Sequence, residues 1–241
     1  VTNYGWVGIG RGKAQRIDCF TGDICPKGEY PKGSKTVYLY VGGLWVGGIV
    51  DHDTLVSQAT EYGTLSREYH PVEPTIKYSG LDYTDPDYAL ARSEQDYIAV
   101  YADTFQHVGY GSYDPIANRP HKPLGIKVEQ ASYAWSYSHT DDFVIITYRI
   151  TNVSKKKISK AWVGMYWDAD VHYAASDVYL GVPETGKPPT MGRDDLAGFI
   201  LDAQSPFEGC TSLDTVALAW TSDNDDDYKN GAITVVTLGG F

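Results

Sequence analysis

The chain has 241 residues, of which 42% are hydrophobic and 21% are charged, so it can bury a substantial core and is not globally disordered. The formal net charge of −11 argues against a nucleic acid or an anionic membrane as the main partner, because both require a positively charged face. No apolar run approaches the roughly 20 residues that a membrane-spanning helix needs, so we expect no membrane span. The composition favours a protein that meets cations or neutral ligands.

The N-terminal segment, residues 1–35, is rich in glycine, lysine and turn-forming residues, which predicts an extended arm or loop. Within it, Cys19 and Cys25 flank a turn at Gly22 and would close a small disulfide loop if the protein is exported. If the protein is not exported, we expect both thiols to stay reduced. Cys210 is then left over, and the three cysteines match no zinc-binding pattern.

The first strong strand signal is TVYLYVGGLWVGGIV, residues 36–50, which is dense in β-branched and aromatic residues. Its two glycine pairs indicate a bend, a bulge or the close approach of another backbone. The tripeptide Asp51–His52–Asp53 then turns the chain into TLVSQAT, which predicts a hairpin. Residues 61–86 lack periodicity and predict a long connection. Residues 86–105 predict one or two helical turns, although IAVYA within them is equally typical of a strand.

Six further segments have the alternation or β-branched density of strands. They are residues 128–138, 143–151, 158–167, 196–201, 214–222 and 232–241. The 20 tyrosines agree with this, since tyrosine favours pleated, half-exposed surfaces. No alternation of strands with helices appears. The sequence therefore predicts an all-β fold, an antiparallel β-sandwich with long loops and at most one short helix, with residues 36–241 forming a single domain.

The segments 143–151 and 158–167 are joined by a short polar turn, which predicts an antiparallel hairpin. Asp141 and Asp142 would then lie near Asp168. In the second strand both alternating faces are apolar, which predicts a central strand covered on both sides. One face carries Trp162, Gly164 and Tyr166, and the other carries Val163, Met165 and Trp167. The alternative is an exposed aromatic row that binds a glycan or a neighbouring subunit.

Two acidic segments suggest calcium binding, because Ca²⁺ takes six to eight oxygen ligands and tolerates irregular loops. In SDNDDDYKNG, alternating carboxylates and one amide could converge on an ion: Asp223, Asp225, Asp227 and Asn230. The loop is not an EF-hand, since Tyr228 stands where that loop requires glycine. A second oxygen site could form from Asp168, Asp170 and Asp177. The alternatives are a solvated acidic turn and a sheet rim capped by acids.

Motifs of the common catalytic classes are missing from the sequence. It contains no HExxH pair, no GxSxG elbow and no phosphate-binding loop. Paired carboxylates in the region of Asp142, Asp168 and Asp170 leave glycoside hydrolysis as a third hypothesis, although nothing in the sequence fixes their separation. We therefore expect a protein that is not an enzyme, with no catalytic residues.

Three segments, residues 28–57, 141–171 and 214–227, together resemble exported, cell-surface β-sandwich proteins of Bacteroidetes-like bacteria that carry a C-terminal sorting signal. No sorting domain is recognised in this sequence. The resemblance implies export, and so an extracellular or cell-surface location. With the acidic loops, it leads us to expect a calcium-stabilised, non-catalytic structural or adhesive module of an extracellular assembly. Its partners would be copies of itself or neighbouring domains of a larger protein. The alternative is a glycan-binding accessory module of a secreted hydrolase.

Overall fold

The computed structural model describes most of the central part of the chain and isolated strands elsewhere. The described residues are 2–9, 28, 30, 36–39, 41–59, 68–104, 113–114, 118–168, 172–173, 195–203, 216–223 and 233–236. Within them the fold is all-β, with a single 3-10 turn at Tyr88–Leu90 as the helical element. The predicted fold class is confirmed.

The chain divides into two compact units, Val1–Val7 with Val41–Trp167, and Gly8–Tyr40 with Asp168–Phe241. In the first unit, one sheet contains β1 (Trp6–Ile9), β3 (Val41–Val50), β4 (Asp53–Gln58) and β12 (Ile158–Asp168). A second sheet contains β5 (His70–Pro71), β6 (Ile76–Tyr78), β7 (Gln95–Asp103), β10 (Ile126–Ala134) and β11 (Ile145–Asn152). The short strands β8 (Tyr113–Asp114) and β9 (Arg119–Pro120) pair with each other.

In the second unit, the short strand β2 (Thr36–Val37) pairs with β13 (His172–Tyr173). A three-stranded antiparallel sheet has the order β14 (Asp195–Ala203), β15 (Val216–Asp223), β16 (Ile233–Val236). All three of these strands were predicted from the sequence.

The core of the first unit lies between its two large sheets. Along β3, Leu44, Val46 and Val50 are buried whereas Trp45 is exposed, as the two-residue period of a half-buried strand requires. The facing strands bury side chains that include Tyr101, Ile126 and Val128. The N-terminal segment contributes to this core as well: Tyr4 and Trp6 are buried, so the predicted N-terminal arm contains packed residues and the strand β1.

The predicted hairpin around Asp51 is confirmed, because β3 and β4 pair antiparallel from Val50 and Asp53 onward. Asp51 has a left-handed φ of 57°, a conformation that aspartate tolerates better than most residues. Both alternatives for residues 86–105 occur in part, since a 3-10 turn at Tyr88–Leu90 precedes the strand β7. No helix among the described residues is long and apolar enough to cross a membrane.

The predicted hairpin between residues 143–151 and 158–167 is wrong. β11 pairs with β10 in one sheet, and β12 lies beside β3 in the other. The short connection between them therefore crosses from one sheet to the other. The amides of Val153 and Ser154 both donate to the Gly125 carbonyl oxygen, at 3.0 and 3.1 Å, which fixes the start of this crossing.

Candidate functional site

The residues predicted to bind calcium lie at strand ends or outside the described residues. Asp223 is the last residue of β15 and Asp168 is the last residue of β12. The structure does not describe Asp170, Asp177, Asp225, Asp227, Asn230, Cys19 or Cys25. In the described part of the chain, no three His, Cys, Asp or Glu side chains are grouped so that they could hold a metal ion. The calcium sites and the disulfide stay predictions.

The strand register gives Asp223 an acidic neighbour. Asp195 of β14 lies directly opposite Asp223 of β15 in the antiparallel pair. Like charges at opposed positions destabilise such a pair unless another group neutralises them.

Asp141 and Asp142 were expected near Asp168 because of the predicted hairpin. That hairpin does not form, so the pairing of β11 and β12 does not bring these residues together. They lie in a turn in which the amides of Thr140 and Asp141 donate to the Tyr137 carbonyl oxygen, at 2.7 and 2.9 Å. This turn leads into β11, whereas Asp168 ends a strand of the other sheet.

A buried polar cluster, which the sequence did not predict, joins the two large sheets of the first unit. Asp103 ends β7 and is fully buried. Its Oδ2 accepts hydrogen bonds from the Ser57 hydroxyl, in the opposite sheet, and from the Leu124 amide, at 2.9 Å. Its Oδ1 lies 3.0 Å from His121 Nε2. One carboxylate thus connects three separate segments of the chain.

The His121 ring lies between two buried carboxylates. Its Nδ1 is 3.4 Å from Glu68 Oε1, on the side opposite Asp103. Glu68 Oε2 in turn accepts a hydrogen bond from the Gln58 amide, at 2.7 Å. Burial alone lowers the pKa of His121, but the hydrogen bond and charge of Asp103 and the charge of Glu68 outweigh burial and raise that pKa above its usual value. The cluster therefore favours a protonated, positively charged His121.

The cluster contains serine, histidine and aspartate, but not in the order that hydrolases use. In a catalytic triad the histidine lies between the serine and the acid and takes the serine proton. Here Ser57 donates to Asp103 instead of to His121. Ser57 and Asp103 are also fully buried, so no substrate reaches them. We conclude that these four side chains stabilise the sandwich.

The accessible candidate for function lies along β11 and β12. Among the described strands, β10 alone lies beside β11, and β3 alone lies beside β12, so each is the outermost strand of its sheet on this side. The Tyr148 hydroxyl is 3.9 Å from Met165 Sδ, which shows that the inward faces of the two strands meet. We call the surface along these two strands and the residues leading into β11 the open side.

The predicted central position of β12 is therefore wrong. Trp162 is 53% exposed and Val163, on the opposite face of the strand, is 45% exposed. The predicted division into two faces is nevertheless correct, because Tyr166 stacks on Trp45 while Met165 points inward. The open side as a whole carries five exposed apolar side chains, namely Phe143, Val144, Ile145, Trp162 and Val163.

Comparisons of the chain with protein-family models, with curated proteins and with solved structures found no match. The resemblance to exported cell-surface proteins thus rests on the three sequence segments alone and stays a prediction.

Proposed function

We propose that the chain is a non-catalytic adhesive module that self-associates by pairing β11 of one copy with β11 of a second copy. The observation that carries this proposal is that, in the part of the chain that the structure describes, only β10 pairs with β11, so no described strand lies along its other edge. β11 pairs with β10 over eight consecutive positions without a bulge. It contains no proline and only one charged residue, Arg149, whereas natural edge strands are usually blocked by such features.

The hydrogen bonds between β11 and β10 determine which backbone groups of β11 point towards its other edge. The Val153 amide donates to the Gly125 carbonyl at 3.0 Å. Because successive residues of an antiparallel strand direct their backbone groups to alternate sides, Ile146, Tyr148 and Ile150 direct theirs away from β10. These are the groups to which an added strand would bond.

A second copy fits this edge because β11 is self-complementary. A two-fold axis at Tyr148 would place Thr147 opposite Arg149 of the second copy, and Ile146 opposite Ile150. No like charges then meet across the pair. The inward-facing Ile146, Tyr148 and Ile150 are only half-buried, so an added strand would also complete their burial.

Substitutions of Thr147, an exposed residue of β11, test this pairing. Thr147→Arg would oppose Arg149 of the second copy twice in the symmetric pair, so we expect the dimer to dissociate at concentrations at which the unmodified chain associates. Thr147→Glu would create two opposite-charge pairs, each contributing about 0.2–1 kcal/mol, and should tighten the dimer. Sedimentation velocity over a range of protein concentrations measures both effects.

The paired design separates association from folding, since both variants alter the same exposed position. A strictly monomeric unmodified chain would refute the proposal, and so would equal dissociation constants for the arginine and glutamate variants. Thr54→Arg, on the exposed side of β4, serves as a control that should leave association unchanged.

We also propose that Ca²⁺ binds where β14 and β15 bring Asp195 and Asp223 opposite each other, with the neighbouring acidic loop as a source of further oxygen ligands. Added Ca²⁺ should raise the melting temperature, because an ion that binds only the folded state stabilises it. Asp223→Asn should reduce that increase. The same melting temperature in excess EDTA and in Ca²⁺ would exclude a structural calcium site.

We place this adhesive function outside the cell or at its surface. The support is the resemblance to exported proteins, together with an acidic chain suited to meeting calcium and neutral partners. In that setting Cys19 and Cys25 would form their disulfide, whereas in a reducing compartment they would not.

A further inference from the structure

The outward face of β3 and β12 carries a row of aromatic rings, distinct from the backbone edge of β11. The rings of Trp45 and Tyr166 lie parallel, with centroids 5.2 Å apart and an interplanar angle of 9°. Trp162 lies on the same face of β12, and its side chain is 53% exposed. Trp45 is 37% exposed, so tryptophan surface is accessible on both strands.

Two glycines lie beside these rings. A Cβ at Gly47 would lie 3.8 Å from Cε3 of Trp162, so the indole lies close over the backbone of β3. A Cβ at Gly164, between Trp162 and Tyr166, would meet nothing within 4 Å. Trp162 and Tyr166 are four residues apart in β12, so their Cα atoms lie about 13 Å apart, at roughly 3.3 Å per residue. The face thus offers two aromatic groups with a gap between them.

We propose that this aromatic face binds a neutral glycan in an extended conformation, with one sugar ring on Trp162 and another at the Trp45–Tyr166 pair. The face of an aromatic ring carries negative partial charge, which attracts the weakly positive C–H groups on the flat side of a pyranose ring. The spacing of the two aromatic groups suits a short oligosaccharide that spans the gap at Gly164.

The charge of the chain decides which glycans fit. The net charge of −11 disfavours the binding of glycans that carry carboxylate or sulfate groups, so we take the ligand to be uncharged. Thr54 is exposed on the same face of β4, where its hydroxyl can bond to sugar hydroxyls. This inference does not depend on the pairing of β11, because the two surfaces use different residues.

The test is titration of the full chain with four neutral hexasaccharides, cellohexaose, xylohexaose, mannohexaose and chitohexaose, followed by tryptophan fluorescence and calorimetry. We expect at least one to bind with a dissociation constant below millimolar. Trp162→Ala should weaken that binding about tenfold, and Trp162→Tyr should retain most of it. Oligogalacturonate, which is anionic, should bind more weakly than the neutral ligand.

Val163→Ala is the matched control, because Val163 adjoins Trp162 but lies on the opposite face of β12. It should leave sugar affinity unchanged. The proposal is overturned if none of the four hexasaccharides binds at millimolar concentration, or if Trp162→Ala binds as tightly as the unmodified chain. It is also overturned if Trp162→Ala leaves sugar binding intact but abolishes self-association, since the face would then be a protein contact. Thr147→Arg should still bind sugar, which keeps this result independent of the dimer.

Discussion

Replacing Asp103 with alanine is expected to lower the free energy of unfolding by about 3–5 kcal/mol, the usual cost of removing one partner from a buried charged pair. The substitution would leave the Ser57 hydroxyl and the Leu124 amide buried without their acceptor. It would also leave His121 with Glu68 as its only carboxylate in this cluster. Urea denaturation of the variant and the unmodified chain measures the difference.

Two controls make the result specific to the buried cluster. Asp103→Asn keeps the shape of the side chain and one acceptor oxygen, so it should cost less than alanine. Glu73→Ala removes an exposed acid 3.5 Å from Lys127 and should change stability little, because exposed ion pairs contribute little. If Asp103→Ala and Glu73→Ala had the same effect, the cluster would not stabilise the sandwich.

The pH dependence of the same unfolding experiment tests the charge on His121. Its pKa is raised in the folded chain, so the stability that it contributes is fully present below the unfolded pKa, about 6.5. That contribution is lost as the pH rises through the folded pKa. The loss should be smaller in Asp103→Ala, because Asp103 provides the hydrogen bond and much of the charge that raise this pKa.

The sequence predicted the elements whose signals are local. The density of β-branched and aromatic residues located β3, the alternation of apolar residues located β10, and the acidic turn at Asp51–His52 located the β3–β4 hairpin. Two strands that are joined by a two-residue turn pair with each other, because the turn holds them side by side. Local residue patterns and the residues of the turn are therefore sufficient to predict these strands and this hairpin.

The pairing of β11 and β12 was not predictable in this way, because a short connection allows either a hairpin or a crossing to another sheet. The deciding contacts are distant in sequence. A Cβ at Gly48 would lie 2.8 Å from Cγ2 of Ile158, so glycine in β3 allows the close approach of β12. The glycine pairs of β3 had suggested such an approach as one of three alternatives, without indicating which strand would make it.

The buried cluster was missed for a related reason. Ser57 and Asp103 are 46 residues apart, and neither is part of a recognisable motif. In sequence each resembles an ordinary polar residue near the end of a strand. They become buried only because β4 and β7 lie in facing sheets, which is a property of the whole fold.

The second large effect is expected at Gly43, in the half of β3 that packs most tightly. A Cβ at this position would lie 1.7 Å from the carbonyl oxygen of Ala59. That carbonyl belongs to the backbone, and the Ala59 amide donates to the Leu44 carbonyl at 2.8 Å, so Ala59 has little freedom to move away. Gly43→Ala should therefore cost about 3 kcal/mol, at the upper end for overpacked positions.

Gly164→Ala provides the matched comparison, because it makes the same substitution in another strand where a Cβ would meet nothing within 4 Å. Alanine restricts the unfolded chain more than glycine does, so this variant should be more stable by about 0.5–1 kcal/mol. Denaturant unfolding of both variants measures the change in the free energy of unfolding at each position. Opposite signs would show that the approach of Ala59 requires glycine at position 43, whereas equal changes at both positions would show that backbone entropy alone governs the glycines of these strands.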